Sequence, residues 1–231
     1  MKSFSQTKCM LVLLLLWTCP AAYAKDYIVE IILFANVLDE KESSLQVPDQ
    51  AVLPNFEDAI PLDDSAVFYD FLPLSQDELR LHQQAAALAT SGKYRILKHV
   101  AWLQPGLAKE EAIPVRIHAG MDYSNESWQY TPVTVDSSNN VLQEIFPTHE
   151  LDGTIKVVLG RYLHVFTDLI YRRPFKVKAE ASHESDTTGH DFVLADYALK
   201  AHRKMRSKEL HYIDHPFFGI LIEIHPAGNQ E

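Results

Sequence analysis

The chain has 231 residues, of which 21 are basic and 31 acidic, giving a net charge of −10, and it contains 2 cysteines. That acidity excludes nucleic acid as a natural partner, while a hydrophobic share of 47% is ample for a core that needs no cross-links. The charge is uneven: residues 25–78 hold 2 basic and 13 acidic side chains, whereas residues 156–208 hold 11 and 6, so an acidic front precedes a basic back half.

Lys2 and Lys8, the apolar run from Met10 to Trp17 and the tripeptide Ala22-Tyr23-Ala24 have the order of a secretory signal peptide. The run is too short for a mature anchor, which needs roughly 20 apolar residues. Cleavage is expected after Ala24, with residues 25–231 forming the mature chain and no membrane anchor. It removes Lys2 and Lys8, shifting the net charge from −10 to −12, and takes Cys9 and Cys19 with them. Leu16-Trp17-Thr18 before Cys19 is too bulky for a lipid-attachment site, so the exported product is expected to be soluble and free of thiols.

Tyr27 to Val37 is rich in Ile, Val and Phe and predicts a buried central strand. Residues 39–73 are acidic and interrupted by Pro48, Pro54, Pro61 and Pro73, which predicts a long irregular excursion pinned to the core by Phe56, Phe68, Tyr69 and Phe71. Ser75 with Glu78 makes a capping box and Gly92 a C-terminal stop, so a helix is expected over about 75–91. Tyr94 to Leu103 alternates as a strand, with Tyr94, Ile96, Val100 and Trp102 on one side and Arg95, Leu97 and His99 on the other. Val115 to His118 predicts a short strand. Residues 121–148 read as a polar connection holding Trp128 and Tyr130, with a weak strand signal at Thr131 to Val135. Gly153 to Pro174 predicts a strand of unusual length, bent or bulged at Gly160, with Ile155, Val157, Leu159, Leu163, Val165 and Leu169 in one phase and Lys156, His164, Asp168 and Arg172 in the other. After a polar loop at 182–191, the periodicity of Phe192 to Arg206 fits strand or helix equally, and Phe218 to Ile224 predicts the last strand. The economical reading is α+β: a single domain with a mainly antiparallel sheet and at least one packed helix.

Nucleophilic chemistry has little to stand on, because the mature chain has no cysteine, no Gly-x-Ser-x-Gly elbow and no Ser-x-x-Lys tetrad. No Gly-rich phosphate loop follows a strand. Glu209 and Asp214 are a conceivable glycosidase pair, set against the plainer reading of solvated surface carboxylates. His211, Asp214 and His215 have a metal-like spacing on a helix, but Pro216 disfavours helix there, and the alternative is a turn braced by side-chain hydrogen bonds. No cofactor is indicated. The stronger lead is a basic group, Arg172, Arg173, Lys176, Lys178, Arg203, Lys204, Arg206 and Lys208, since guanidinium forks match the carboxylates of cell-wall peptides. Trp102, Trp128 and Tyr130 are candidates to stack on sugar rings. A solvated basic face with core tryptophans is the plain alternative.

Arg161-Tyr162-Leu163-His164-Val165, together with the run from Arg203 through Met205, Leu210 and Tyr212 to His215-Pro216-Phe217-Phe218-Gly219, resembles the peptidoglycan-binding CsiV family of marine and related gammaproteobacteria. Further likeness lies in Tyr27 to Phe34, Tyr94 to Trp102 and Pro114 to Ile117. The resemblance implies a periplasmic, non-catalytic protein that binds peptidoglycan and promotes its synthesis through the outer-membrane lipoprotein LpoA and a class A penicillin-binding protein. It brings no catalytic residues. Polarity within the motif selects Arg161, His164, Arg203, Arg206, His211, Asp214 and His215 as ligand-binding candidates. The resemblance also favours strand for 192–206, as a hairpin with 218–224 around a turn at 207–216, with Lys200, His202, Lys204 and Arg206 on one face.

Overall fold

The computed structural model describes residues 25–37, 53–124, 134–135, 141–142, 149–176 and 192–228. The expected leader, Cys9, Cys19, Trp128, Tyr130, Lys178 and the loop expected at 182–191 lie outside the described residues. In chain order the strands are β1 (Asp26–Asn36), β2 (Ile60–Pro61), β3 (Leu72–Pro73), β4 (Tyr94–Pro105), β5 (Val115–Asp122), β6 (Thr134–Val135), β7 (Val141–Leu142), β8 (His149–Leu159), β9 (Leu163–Lys176), β10 (Phe192–Met205), β11 (His211–Asp214) and β12 (Phe218–Pro226). One α-helix, α1 (His82–Thr90), precedes β4.

The fold class is α+β, with two five-stranded sheets where the sequence suggests one. The first has the order β11-β12-β1-β4-β3 and the second β10-β9-β8-β5-β2. Ladders within them are antiparallel except the short parallel contact of β2 with β5. Their inner faces share one core, in which Val29, Ile31, Leu33, Trp102, Ile220, Ile222 and Ile224 of the first sheet meet Ile155, Val157, Val165 and Leu169 of the second. Each such side chain contributes roughly 1.5–3 kcal/mol by leaving water.

β1 occupies the centre of the first sheet, as its near-continuous hydrophobic run predicts. Its alternate residues Ile32 and Phe34 point outward, where Leu81, Ala85 and Leu88 cover them. Glu30 sits in the same outward row and is 1% exposed. Its carboxylate accepts the Leu81 N–H at 2.8 Å and the Arg80 N–H at 3.0 Å, and its Oε1 is 2.7 Å from His99 Nε2. The helix expected over 75–91 is therefore divided. The Ser75–Glu78 capping box forms, but it opens only a 3-10 turn over Gln76–Glu78; Leu79 is extended, and α1 starts at His82. The buried Glu30 carboxylate takes the N–H groups of Arg80 and Leu81, the two residues that lead into that second start.

The alternation read for Tyr94 to Leu103 breaks at Leu97. Leu33 faces Lys98 and Phe34 faces Ile96, leaving Leu97 as a bulge that inverts the phase. Tyr94 and Ile96 join the helix-covered cluster, whereas Val100 and Trp102 face the sandwich core. Gly160 also differs from expectation: it opens a tight turn, donating its N–H to the Tyr162 carbonyl at 3.0 Å, and the long strand is the β8–β9 hairpin. Leu159 faces Leu163 across that three-residue turn, so odd-numbered residues stay on one side.

β10 is a strand, but its partner is β9, with Met205 opposite Leu163 and Phe192 opposite Lys176. The proposed hairpin with 218–224 does not form. β12 instead pairs with β1 and with β11, which lies in the stretch expected to be turn. In the described part of the irregular excursion, Phe71 is fully buried, while Phe68 is 85% exposed and does not pin the segment.

Candidate functional site

The outward row of β9 carries Tyr162 at its turn, then His164, Phe166 and Asp168, with Leu163, Val165 and Leu169 inward. Register sets Lys204 opposite His164, His202 opposite Phe166 and Lys200 opposite Asp168 on β10, and Lys156 opposite Phe166 on β8. An antiparallel ladder places such residues side by side on one face. The His202 ring stacks on Phe166 at 4.4 Å and on His164 at 5.1 Å, with His164 Nδ1 2.9 Å from His202 Nε2. One imidazole donates and the other accepts.

Cations ring this aromatic row. Lys204 Nζ lies 3.6 Å from the Tyr162 centroid, Arg161 Cζ is 5.7 Å from the same ring, and Lys156 Nζ is 5.8 Å from Phe166. Among the described residues, no carboxylate lies in ion-pair range of Lys156, Arg161 or Lys204. Lys200 is the exception, 3.3 Å from Asp168. Beside Phe166 the face sinks into a cavity of about 490 Å³, floored by Thr154, Lys156, Phe166 and Asp168 and walled by the segments around Glu57 and Glu110.

Of the seven motif candidates, this face gathers Arg161 and His164. Arg203 belongs to the inward phase of β10 but is exposed, and its Nη2 donates to the Tyr212 carbonyl at 3.4 Å, tying the two sheets together at their edges. Arg206 lies past the end of β10, outside the predicted row, in an exposed pair with Glu209 at 3.6 Å. His211 is 3.6 Å from the same Glu209. Asp214 accepts the Tyr212 hydroxyl, and burial and that carboxylate push the tyrosine pKa well above its usual value. His215 Nδ1 accepts the Phe217 N–H at 3.3 Å, and its ring packs on Phe218 at 4.7 Å. Burial holds the His215 pKa below its ordinary value. Among the described residues there is no cluster of His, Cys, Asp or Glu able to hold a metal. The bonds of Asp214 to the Tyr212 side chain and of His215 to the Phe217 backbone both lie within the β11–β12 hairpin.

Two sequence leads are corrected. Trp102 is fully buried, its Nε1 donating to Gln104 Oε1 at 2.8 Å, and offers no stacking surface. Arg172 is 5% exposed, donates to the His149 carbonyl at 3.0 Å and lies 3.5 Å from Asp196, so its charge is spent inside the protein. The sequence reading omitted Lys156, Tyr162 and Phe166. The signal for them was Phe166, an aromatic in the polar phase of β9.

The outer face of the second sheet thus joins stacked rings, cations with no carboxylate in ion-pair range among the described residues, and an adjoining cavity. The family model described as "Peptidoglycan-binding protein, CsiV" matches residues 9–227, and the chain belongs to that family. The family name indicates peptidoglycan as the ligand. Comparison with curated proteins found no match, and neither did comparison with solved structures. No helix among the described residues is long and apolar enough to cross a membrane.

Proposed function

We propose that the protein is a periplasmic, non-catalytic peptidoglycan-binding regulator that holds the cell wall on the outer face of its second sheet. What carries the reading is Lys156, Arg161 and Lys204, with no carboxylate in ion-pair range among the described residues, around the Phe166–His202 stack, in a member of a family named for peptidoglycan binding. Aromatic rings present flat apolar faces to sugars, and the cations meet the carboxylates of peptide stems through charge-assisted hydrogen bonds. Promotion of wall synthesis through LpoA and a class A penicillin-binding protein, as the family resemblance implies, completes the reading.

The test is sedimentation of the mature protein with intact sacculi at about 0.15 M salt, where contacts within a Debye length of roughly 8 Å survive. Wild type is expected in the pellet. The Lys156→Ala, Lys204→Ala double variant should stay largely in the supernatant, and the Arg203→Ala, Arg206→Ala pair should lose less. Wild-type protein that fails to pellet rules the reading out. For the partner step, glycan-strand synthesis by the penicillin-binding protein should rise on addition of this protein only when LpoA is present.

A further inference from the structure

The cavity beside Phe166 has a charge pattern that the sheet face does not. Its lining includes two lysines, Lys109 and Lys156, and four carboxylates, Glu57, Asp58, Glu110 and Asp168. A site for simple anions would not place carboxylates at its floor. A site for simple cations would not hold lysines there.

Two floor residues sharpen the point. Lys156 stands opposite Phe166, and Asp168 is the next outward residue along β9, so the two are diagonal neighbours, roughly 7–8 Å apart and somewhat closer at Cβ. They do not pair with each other. Asp168 Oδ2 is held by Lys200 at 3.3 Å, while its Oδ1 is buried and has no hydrogen-bond partner among the described residues. A carboxylate oxygen withdrawn from water without a donor costs free energy that an incoming N–H would recover. Lys156, with no carboxylate in ion-pair range among the described residues, carries the complementary charge for a ligand carboxylate. Phe166 forms an apolar wall beside both.

We infer that this cavity binds an amino-acid zwitterion: a free ammonium directed to the Asp168 carboxylate, a free carboxylate on the same carbon directed to Lys156, and an alkyl chain against Phe166. At about 490 Å³ the cavity accommodates such a group. In a wall peptide this chemistry occurs at the far end of a diaminodicarboxylic acid residue whose side-chain amine has not been cross-linked. Cross-linking turns that ammonium into an amide, which removes the charge Asp168 recognises. The inference rests on the peptidoglycan reading and narrows it: the protein distinguishes open stems from cross-linked ones.

Calorimetric titration of the mature protein with four synthetic tripeptide stems tests this. The first ends in meso-diaminopimelate with both distal groups free; the others have its distal amine acetylated, its distal carboxylate amidated, or lysine in its place. Each of those three changes removes one charged contact, and binding about tenfold weaker than to the first peptide is expected. Asp168→Asn should abolish the preference for the free amine while leaving that for the carboxylate; Lys156→Met should do the reverse. A circular dichroism melt of each variant checks its fold, and the two selectivities report independently. Equal affinity for all four peptides, with wild type still pelleting with sacculi, overturns the inference and leaves wall binding standing. Failure of both assays removes wall binding itself.

Discussion

Among single residues, one unforgiving position is a glycine. Gly153, on β8, has φ +151°, and a Cβ there would sit 2.2 Å from the Asp168 carbonyl oxygen and 2.6 Å from Leu169 Cα, both backbone atoms of β9. Gly153→Ala is expected to cost roughly 2–3 kcal/mol in urea unfolding, because neighbouring backbone cannot rotate away as a side chain can. Gly92→Ala, at φ +69° with nothing within 4 Å, should cost less, about 1 kcal/mol from backbone conformation alone. A larger loss at Gly92 would contradict the packing account. The sequence marks Gly153 only as a strand boundary, since close approach to a strand 15 residues away leaves no local trace. His225 was equally silent. It is 2% exposed with neither ring nitrogen hydrogen-bonded among the described residues, and burial, with Arg80 and Lys208 nearby, lowers its pKa. His118 and His215 are shifted the same way, chiefly by burial. A histidine with a depressed pKa binds its proton more readily unfolded. Stability is therefore full above the unfolded value near 6.5 and is lost as pH falls from there through the folded values. The urea midpoint should drop between pH 7.5 and 5.5, and His225→Leu should flatten that slope; an unchanged slope would reject the assignment.

At the level of elements, α1 depends on a carboxylate from another strand. Glu30 accepts the Arg80 and Leu81 N–H groups, so Glu30→Ala strands both donors and is expected to cost about 2–5 kcal/mol. Glu30→Gln keeps one accepting oxygen and should cost less; identical losses by chemical denaturation would show that the cap is not what matters. Strand positions were readable from apolar runs, and inward phases from side-chain alternation, which β8, β9 and β12 carry in Ile, Val and Leu, while β1 is apolar on both faces. Strand partners were not. The three-residue turn at Gly160–Tyr162 preserves parity, so a hairpin and one long strand produce the same pattern in the sequence. The Leu97 bulge shifts parity without any glycine or proline to announce it. The choice of β9 over β12 as partner for β10 depends on which edges lie open in space. For the same reason the motif candidates, contiguous in sequence, part company: Arg161 and His164 reach the outer face of the second sheet, while Asp214 and His215 serve the β11–β12 hairpin.

For the whole molecule, the net charge of −10, or −12 without the expected leader, opposes contact with an anionic wall, yet the proposed binding face presents cations. The two effects act over different distances. At about 0.01 M salt the Debye length is roughly 30 Å, and the wall meets the charge of the entire protein, so approach is resisted. At about 0.15 M it shrinks to roughly 8 Å, which screens the distant carboxylates but spares contacts at Lys156, Arg161 and Lys204. At about 1 M, near 3 Å, those contacts are lost as well. Sacculus binding should therefore rise and then fall across a sodium chloride series, with its maximum between the extremes. In the Lys156→Gln, Lys204→Gln variant the attractive part is reduced, so the high-salt decline should shrink while the low-salt resistance persists. A wild-type curve that falls steadily from the lowest salt would mean that the acidic surface is never felt by the wall, and that the cationic face alone governs the encounter.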